Sequence, residues 1–304
     1  MIPKKDLLII GGGPAGISAA IWAKRLGINH LLLEAREELG GQLSSIQNKI
    51  IDYPGIIVPN GRSLQEHFNK HAQEIKFEFE TKSTVKSINW NKRELTTSLH
   101  TSYQFRSMLI TTGSSPRKLR IPGEQEMIDR KELYSATRDK AKFTGKNVAV
   151  IGGGDRAFEG ALLLAEAEAH VFLIHRSDGF KARKEYKNPV MEHPNIKVLT
   201  HTTITKIEGI GTKQLTLSSN GTTDKLSVEG VFIRIGVEPN TEPFKEYINL
   251  DHEGYIICND VGEASLPYVY AAGDVCTRPL LSSISSAVGQ GMTAVKSLSF
   301  YLED

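Results

Sequence analysis

The chain has 304 residues, with 37 Lys and Arg against 35 Asp and Glu, a formal net charge of +2, and 39% hydrophobic content. That charge is too small to argue for nucleic acid or an acidic membrane surface, and the length suits about two ordinary domains. No apolar run approaches the ~18 residues of a membrane span, and two cysteines, Cys258 and Cys276, are too few for a secreted disulfide framework.

Met1 to Asp6 lead straight into a first strand whose glycine end comes too early for a signal peptide, so a cytoplasmic location is the expectation. That strand, Leu7-Leu8-Ile9-Ile10, runs into Gly11-Gly12-Gly13-Pro14-Ala15-Gly16. A helix over Ile17–Leu26 follows, with Gly27 as its stop, and the next strand, His30–Leu33, ends at Glu34-Ala35. Strand, tight turn and helix start present backbone N–H groups and the helix dipole to a pyrophosphate, and Glu34 is placed to accept from a ribose 2′-hydroxyl. A second helix over Ser63–Glu74 carries His67 and His71 four apart. The spacing suits a metal, but no third ligand is evident and a solvated face is the expectation. Lys82 to Met108 alternates in short β pieces around the turn Asn89-Trp90-Asn91-Lys92, which makes Trp90 a hairpin residue rather than a ligand platform.

Two segments rich in Pro and Gly, Thr111-Thr112-Gly113-Ser114-Ser115-Pro116 and Ile235-Gly236-Val237-Glu238-Pro239-Asn240, bracket a repeat of the nucleotide pattern. Here Val148-Ala149-Val150-Ile151 leads into Gly152-Gly153-Gly154-Asp155-Arg156-Ala157, then a helix over Phe158–Ala169, then the strand Val171–Ile174 ending at His175-Arg176. A cation where the first copy has a carboxylate suits a 2′-phosphate. Beyond the second bracket, Val269-Tyr270-Ala271-Ala272-Gly273-Asp274-Val275 reads as a strand and turn, and Ser286–Leu302 as a closing helix. The predicted fold class is α/β, with two Rossmann-like domains of the three-layer ββα kind. The NAD(P) domain, 115–242, is inserted into the FAD domain, 1–114 and 243–304. One acidic and one basic site imply bound FAD and exchangeable NADPH, with NADH as the alternative.

Taken in order, these residues resemble the low-molecular-weight thioredoxin reductases over nearly the whole chain. Gly40-Gly41-Gln42-Leu43 with Asp52-Tyr53-Pro54-Gly55 is similar to that family's flavin-contacting loop, and Thr111-Thr112-Gly113 to its domain-crossing motif. Gly273-Asp274-Val275 resembles the motif whose aspartate holds the ribityl and phosphate region of the flavin. Gly154 with His175, Arg176 and Lys181 is similar to the NADPH site. The cofactor-binding set this implies is Gly11, Gly13, Pro14, Ala15, Glu34, Ala35, Gly41, Gln42, Leu43, Asp52, Val85, Thr112, Gly113, Gly273, Asp274, Ser282 and Ser283 for FAD. For the nicotinamide nucleotide it is Gly152, Gly154, Asp155, Arg156, His175, Arg176 and Lys181. A homodimer formed through the FAD domain is also implied.

Three departures matter. The family's Cys-x-x-Cys pair falls on Tyr134-Ser135-Ala136-Thr137-Arg138-Asp139, with Ser135 and Arg138 at the sulfur positions, and neither side chain has a two-electron couple. Where relatives place Arg-Gln against the flavin ring the chain reads Leu281-Ser282, leaving the hydroxyls of Ser282 and Ser283 for the ring edge. The His-Arg-Arg phosphate pattern reads His175-Arg176-Ser177, with Lys181 three residues on and Arg183 close enough to help. Related ferredoxin–NADP reductases also lack the cysteine pair but carry a further segment over the flavin. The chain stops at Asp304, so ferredoxin specificity is not expected. Cys258 and Cys276 read as two isolated thiols, Cys258 buried as a small hydrophobe and Cys276 near the cofactor.

Hydride transfer from nicotinamide to a flavin needs no side-chain acid, base or nucleophile, and none is assigned; no metal is expected. The reading is an FAD-dependent NAD(P)H oxidoreductase that passes electrons directly to an external acceptor, a redox protein or small molecule. Two alternatives stay open: a disulfide reductase using other thiols, and a flavin-binding redox sensor without efficient turnover.

Overall fold

The computed structural model describes residues 2–302. They divide into two compact units, 1–115 with 238–304, and 116–237. The second crossing therefore falls at Val237–Glu238, five residues before the expected 242–243.

The first unit begins with β1 (Lys4–Ile10), α1 (Pro14–Arg25), β2 (His30–Leu33), α2 (Gly61–Ile75), β3 (Phe79–Glu80), β4 (Val85–Asn89), β5 (Glu94–Thr97) and β6 (Ser102–Ile110). β7 (Ser114–Pro116) leaves it. The second unit holds α3 (Glu124–Asp129), α4 (Ala136–Asp139), β8 (Asn147–Ile151), α5 (Asp155–Glu166), β9 (His170–Ile174), α6 (Lys184–Glu192), β10 (Ile196–Leu199), β11 (Thr202–Glu208), β12 (Lys213–Ser219), β13 (Thr222–Val228) and β14 (Gly230–Ile233). β15 (Val237–Pro239) crosses back and pairs with β7, and β16 (Val269–Ala271) and α7 (Ile284–Leu302) complete the first unit.

In the first unit the sheet runs β3-β2-β1-β6-β5-β4, with β16 also on β6. β1, β2, β6 and β16 are parallel, and the β4–β5–β6 meander is antiparallel. Because β1 and β2 are buried on both faces, they read as continuous apolar runs rather than alternations. Leu7, Ile9, Leu32 and Leu109 pack beneath α1, α2 and α7, while Leu8, Ile10, Leu31 and Ile110 face the meander and Phe244, Ile248 and Val275. Trp90 sits at the meander turn, edge-on to Phe105 at 6.2 Å between ring centroids and 5.6 Å from Tyr247, as a packing residue.

In the second unit, parallel strands β10-β9-β8-β14 form a central sheet. One face packs against α5 through Val148, Val150, Phe158 and Leu164. The other packs against the antiparallel sheet β11-β12-β13 through Ala149, Ile151, Ile204, Leu215 and Leu217. That is the expected ββα layering.

Both nucleotide-loop helices start three residues before the sequence expectation, at Pro14 rather than Ile17 and at Asp155 rather than Phe158. Proline preset to helical φ at N1 and an aspartate in the first turn are good first-turn residues. α2 likewise starts early, at Gly61, because the Asn60 side chain accepts from the Ser63 N–H at 3.0 Å. α7 starts at Ile284, two residues ahead of the expected Ser286.

Candidate functional site

Each glycine loop builds its own cradle. In the first unit, Glu34 at the end of β2 turns its carboxylate back over the loop. One oxygen accepts from the Gly12 N–H at 2.6 Å and the other from the Arg36 N–H at 2.7 Å. A Cβ on Gly12 would lie 2.9 Å from that carboxylate and 2.6 Å from Leu39, so any side chain there has to displace one or both. Gly13, which precedes α1, caps it with no side chain, and a Cβ there would meet nothing. The loop face is open, and the first-turn N–H groups of Ala15 and Gly16 have no capping side chain to receive them.

The loop after β2 lies on the same cradle. Gly40 N–H donates to the Gly12 carbonyl at 2.7 Å, and the Arg36 guanidinium donates to the Gly41 carbonyl at 2.6 Å. Leu43 is buried within the 3₁₀ segment Gly41–Ser45. Gln42 reaches across to the other end of the unit. Its amide donates to the Ser114 carbonyl at 3.1 Å and to Asp274 Oδ2 at 3.3 Å, and the Ser114 hydroxyl also donates to Asp274 at 3.3 Å. The Gly273–Asp274 turn abuts α1, since a Cβ on Gly273 would sit 3.1 Å from Ala15 Cβ. Gln290, on α7, holds that turn by accepting from the Gly273 N–H at 2.7 Å and from Thr277 at 3.2 Å. Thr112 and Asn240 close the unit where the chain leaves and returns: the Thr112 hydroxyl donates to the Asn240 carbonyl, the Asn240 amide to the Thr112 carbonyl, both at 2.8 Å, and the Asn240 N–H to the Gly113 carbonyl at 2.9 Å.

The remaining expected flavin residues are less closely gathered. Ala35 directly follows Glu34, and Val85 lies two residues beyond Ser83, whose N–H donates to the Glu34 carbonyl at 2.9 Å. Asp52 is exposed, its carbonyl 3.5 Å from the Ser285 hydroxyl. Ser283 caps α7, accepting from the Ser286 N–H at 3.0 Å, while the Ser282 hydroxyl donates to the Pro279 carbonyl. Ser283 is thus engaged by a helix end, a use the sequence reading did not anticipate. Leu281 beside them is exposed.

The second unit repeats the first with an imidazole in the place of the carboxylate. The His175 ring occupies the place over Gly153 that Glu34 takes over Gly12: a Cβ on Gly153 would collide with the imidazole. The ring faces Phe180 at 5.2 Å between centroids, with the Gly179 carbonyl 3.2 Å and the Ser177 hydroxyl 3.1 Å from Nε2. The N–H groups of Lys181 and Ala182 donate to the Gly153 carbonyl at 2.8 and 3.1 Å, which pins the basic segment to the glycine loop. Gly154 caps α5 without a side-chain bond and a Cβ there would meet nothing, so this loop is open as well. Arg156, Arg176 and Lys181 are exposed. Arg183 does not join them. It is committed to Asp155 at 2.7 Å and to Glu185 at 2.8 Å, holding the Asp155 carboxyl below its usual range.

At the position of the absent dithiol, Ser135 stands just before α4 and Arg138 within it. Asp139 is 1% exposed yet charged: burial alone would raise its carboxyl, but Arg138 at 2.7 Å, Lys142 at 2.8 Å and the Ser135 N–H at 2.9 Å hold it far below the ordinary value. The stretch is an ion-paired helical turn.

The cysteines differ most from expectation. They are not isolated, and Cys258 is part-exposed rather than buried. The strand expected over Tyr255–Cys258 reduces to a single bridge, Leu250 to Ile256. Ile256 N–H donates to the Val275 carbonyl at 3.1 Å, and this brings Cys258 beside Cys276, whose S–H donates to the Gly273 carbonyl at 3.4 Å. The interaction between the two thiols lowers Cys258 below the usual thiol range and, with burial, raises Cys276. His67 and His71 lie exposed on α2, and among the described residues no cluster of three or more His, Cys, Asp or Glu could hold a metal.

Sequence reasoning missed Gly12 and Gly153 as close-approach glycines, although both stand inside the fingerprints. Asn240, Gln290 and the Asp139 pairing carried no local signal.

Two Rossmann-like units, each with a glycine loop at a helix start, define an α/β dinucleotide-binding oxidoreductase. The chain belongs to the pyridine nucleotide-disulphide oxidoreductase family, whose model matches residues 5–291. It is 33% identical over 293 residues to the 34.2 kDa protein in the rubredoxin operon of Clostridium pasteurianum, covering 95% of this chain and 94% of that one. It is 30% identical over 303 residues to the thioredoxin reductase of Bacillus subtilis (strain 168), covering 98% and 95%. The crystal structure of Lactococcus lactis thioredoxin reductase in its FR conformation superposes with a TM-score of 0.80 at 29% identity, covering 98% of this chain and 99% of that one. Family membership implies FAD and NAD(P)H as the two dinucleotides, and the open, uncapped helix starts at Gly13 and Gly154 fit their pyrophosphates. Among the described residues no helix is long and apolar enough to cross a membrane.

Proposed function

We propose that the chain is an FAD-dependent, NADPH-oxidising enzyme that passes electrons from its flavin directly to an external acceptor. The observation that carries this reading is the Arg138–Asp139–Lys142 ion pair standing where thioredoxin-reductase relatives need a dithiol. FAD supplies the two-electron chemistry when bound. Gly11, Gly13, Pro14 and Ala15 present the helix start to its pyrophosphate, and Glu34 with Ala35 takes the ribose. Gly41, Gln42, Leu43 and Asp52 form one side of the flavin site, Thr112, Gly113, Gly273 and Asp274 the other. Val85, Ser282 and Ser283 lie at its margins.

NADPH is assigned to Gly152, Gly154, Asp155 and Arg156, with His175, Arg176 and Lys181 at its 2′-phosphate. Arg176 and Lys181 favour the phosphate because neither has an ion pair among the described residues to surrender. A homodimer working in the cytoplasm completes the proposal, on the family resemblance and the sparse cysteines.

The test is anaerobic. NADPH added to the purified yellow protein should bleach the flavin quickly, and a panel of ferredoxin, flavodoxin, quinone, thioredoxin and low-molecular-weight disulfides should then reoxidise it selectively. An oxidised spectrum persisting for many minutes supports the sensor reading. Reoxidation by thioredoxin alone supports a disulfide reductase, a reading the Cys258–Cys276 contact favours. A colourless protein that refuses added FAD overturns the proposal.

A further inference from the structure

The departure of Cys258 and Cys276 from isolation has chemical content of its own. They are the chain's only cysteines, eighteen positions apart, and nothing in the proposed electron path uses them. The Ile256–Val275 backbone bond sets the two segments side by side, so that the two thiols interact, and the Cys276 S–H donates to the Gly273 carbonyl at 3.4 Å. Both residues are part-exposed. A nucleophilic sulfur with a protonated thiol beside it is the arrangement an attacking and a resolving cysteine need.

We propose that Cys258 and Cys276 form a redox-active pair that closes into an intramolecular disulfide by exchange with a low-molecular-weight disulfide. The Cys258 thiolate attacks one sulfur of the disulfide, forming a mixed disulfide on Cys258 and releasing one small-molecule thiolate. Cys276 then gives up its proton and attacks the Cys258 sulfur, forming the Cys258–Cys276 bond and expelling the second small-molecule thiol. Two protein thiols and one small disulfide become one protein disulfide and two small thiols. Protons and electrons balance, and no other oxidant is needed. The asymmetry of the two thiols assigns the order: Cys276, whose S–H is held by the Gly273 carbonyl, stays protonated and resolves, and Cys258, lowered by its neighbour, attacks.

Closure has a structural consequence. It ties residues 256–258 covalently to the Gly273–Asp274 turn, which Gln42, Ser114 and Gln290 already fix. This makes the pair a modification site in the FAD unit. Cytosolic disulfides are commonly transient and redox-sensing, which suits a bond made and broken by exchange. The inference does not depend on which acceptor the flavin serves.

The test uses the full-length protein and oxidised glutathione. Trypsin, which does not cut the Arg278–Pro279 bond, leaves both cysteines on one peptide, residues 246–296, and cleavage after Glu263 separates them. Wild type treated with oxidised glutathione should yield that peptide lighter by two hydrogens, resistant to maleimide, still joined after the second cleavage, and restored by dithiothreitol. Cys276→Ser should instead stop at the intermediate, with one glutathionyl group on Cys258. Cys258→Ser should be modified on Cys276 at least about tenfold more slowly, because exchange tracks the thiolate. A wild type in which glutathione remains on Cys258 without closing overturns the pairing, as does one in which both thiols stay free or link two chains. Equal modification rates in the two variants overturn the assigned order. Flavin content and turnover enter none of these readouts.

Discussion

Arg176 is the sharpest test of the nucleotide assignment. It is exposed and carries no hydrogen bond or ion pair among the described residues, so truncating it to alanine breaks nothing inside the fold. A charge-assisted contact contributes about 1.5–3 kcal/mol net, and an exposed guanidinium, screened by solvent and salt, belongs near the lower end. Since about 1.4 kcal/mol is a factor of ten, Arg176→Ala should raise KM for NADPH about tenfold. It should leave kcat nearly unchanged, as expected when a contact far from the reacting atoms binds ground and transition states alike. NADH lacks the phosphate and should be almost indifferent. The assay is anaerobic flavin bleaching with each nucleotide at two ionic strengths. Added salt should weaken NADPH binding to wild type more than to the variant. Equal losses for NADPH and NADH would refute the reasoning.

Three more outcomes follow from the same structure. Asp139→Asn should destabilise the protein by about 1–3 kcal/mol, below the ~3–5 expected of a fully buried pair because Arg138 and Lys142 are more than half exposed. Since the Asp139 carboxyl is depressed in the native state, its stabilisation is complete above about pH 5, begins to be lost as pH falls past the ordinary carboxylate value of about 3.9, and is gone only below the depressed native value. Urea midpoints at pH 3 and pH 5 should therefore differ less in the variant than in wild type, and parallel shifts would sink the idea. Gln290→Leu should cost about 1–3 kcal/mol by stranding the Gly273 N–H and should speed flavin release, read as rising FAD fluorescence; unchanged release and melting temperature would dismiss its holding role. Gly12→Ala should yield protein purified largely without flavin, because its Cβ meets Glu34 and Leu39. A fully yellow Gly12→Ala protein would count against the cradle.

Much of this fold was legible because its signals are local. Apolar runs such as Leu7–Ile10 and Val148–Ile151, each closed by three glycines, announce a buried parallel strand and a phosphate turn within a dozen residues. The helix starts were read late because the hydrophobic period begins only after the first turn, whereas the backbone already turns helical at Pro14 and Asp155. The sheet β11-β12-β13 left less trace: its outer strand β13 is largely polar and exposed, so little period-2 signal survives. What the sequence could not reveal is long-range. Gln42 meets Asp274 across 232 positions, and the cysteines meet only because residues 250–258 run beside the turn that follows β16. Spacing rules for thiols describe local exchange motifs, and this pair is made by tertiary structure.

The reciprocal bonds between Thr112 and Asn240 make the first unit self-closing at its one interruption. The excursion of residues 116–237 leaves and re-enters through neighbouring strands, so replacing it with a two- or three-residue hairpin turn would join ends that already lie side by side, at little extra loop entropy. A shortened polypeptide of this kind should fold as a free-standing flavin carrier, deaf to nicotinamide, and so offers a starting chassis onto which a different electron donor could be grafted.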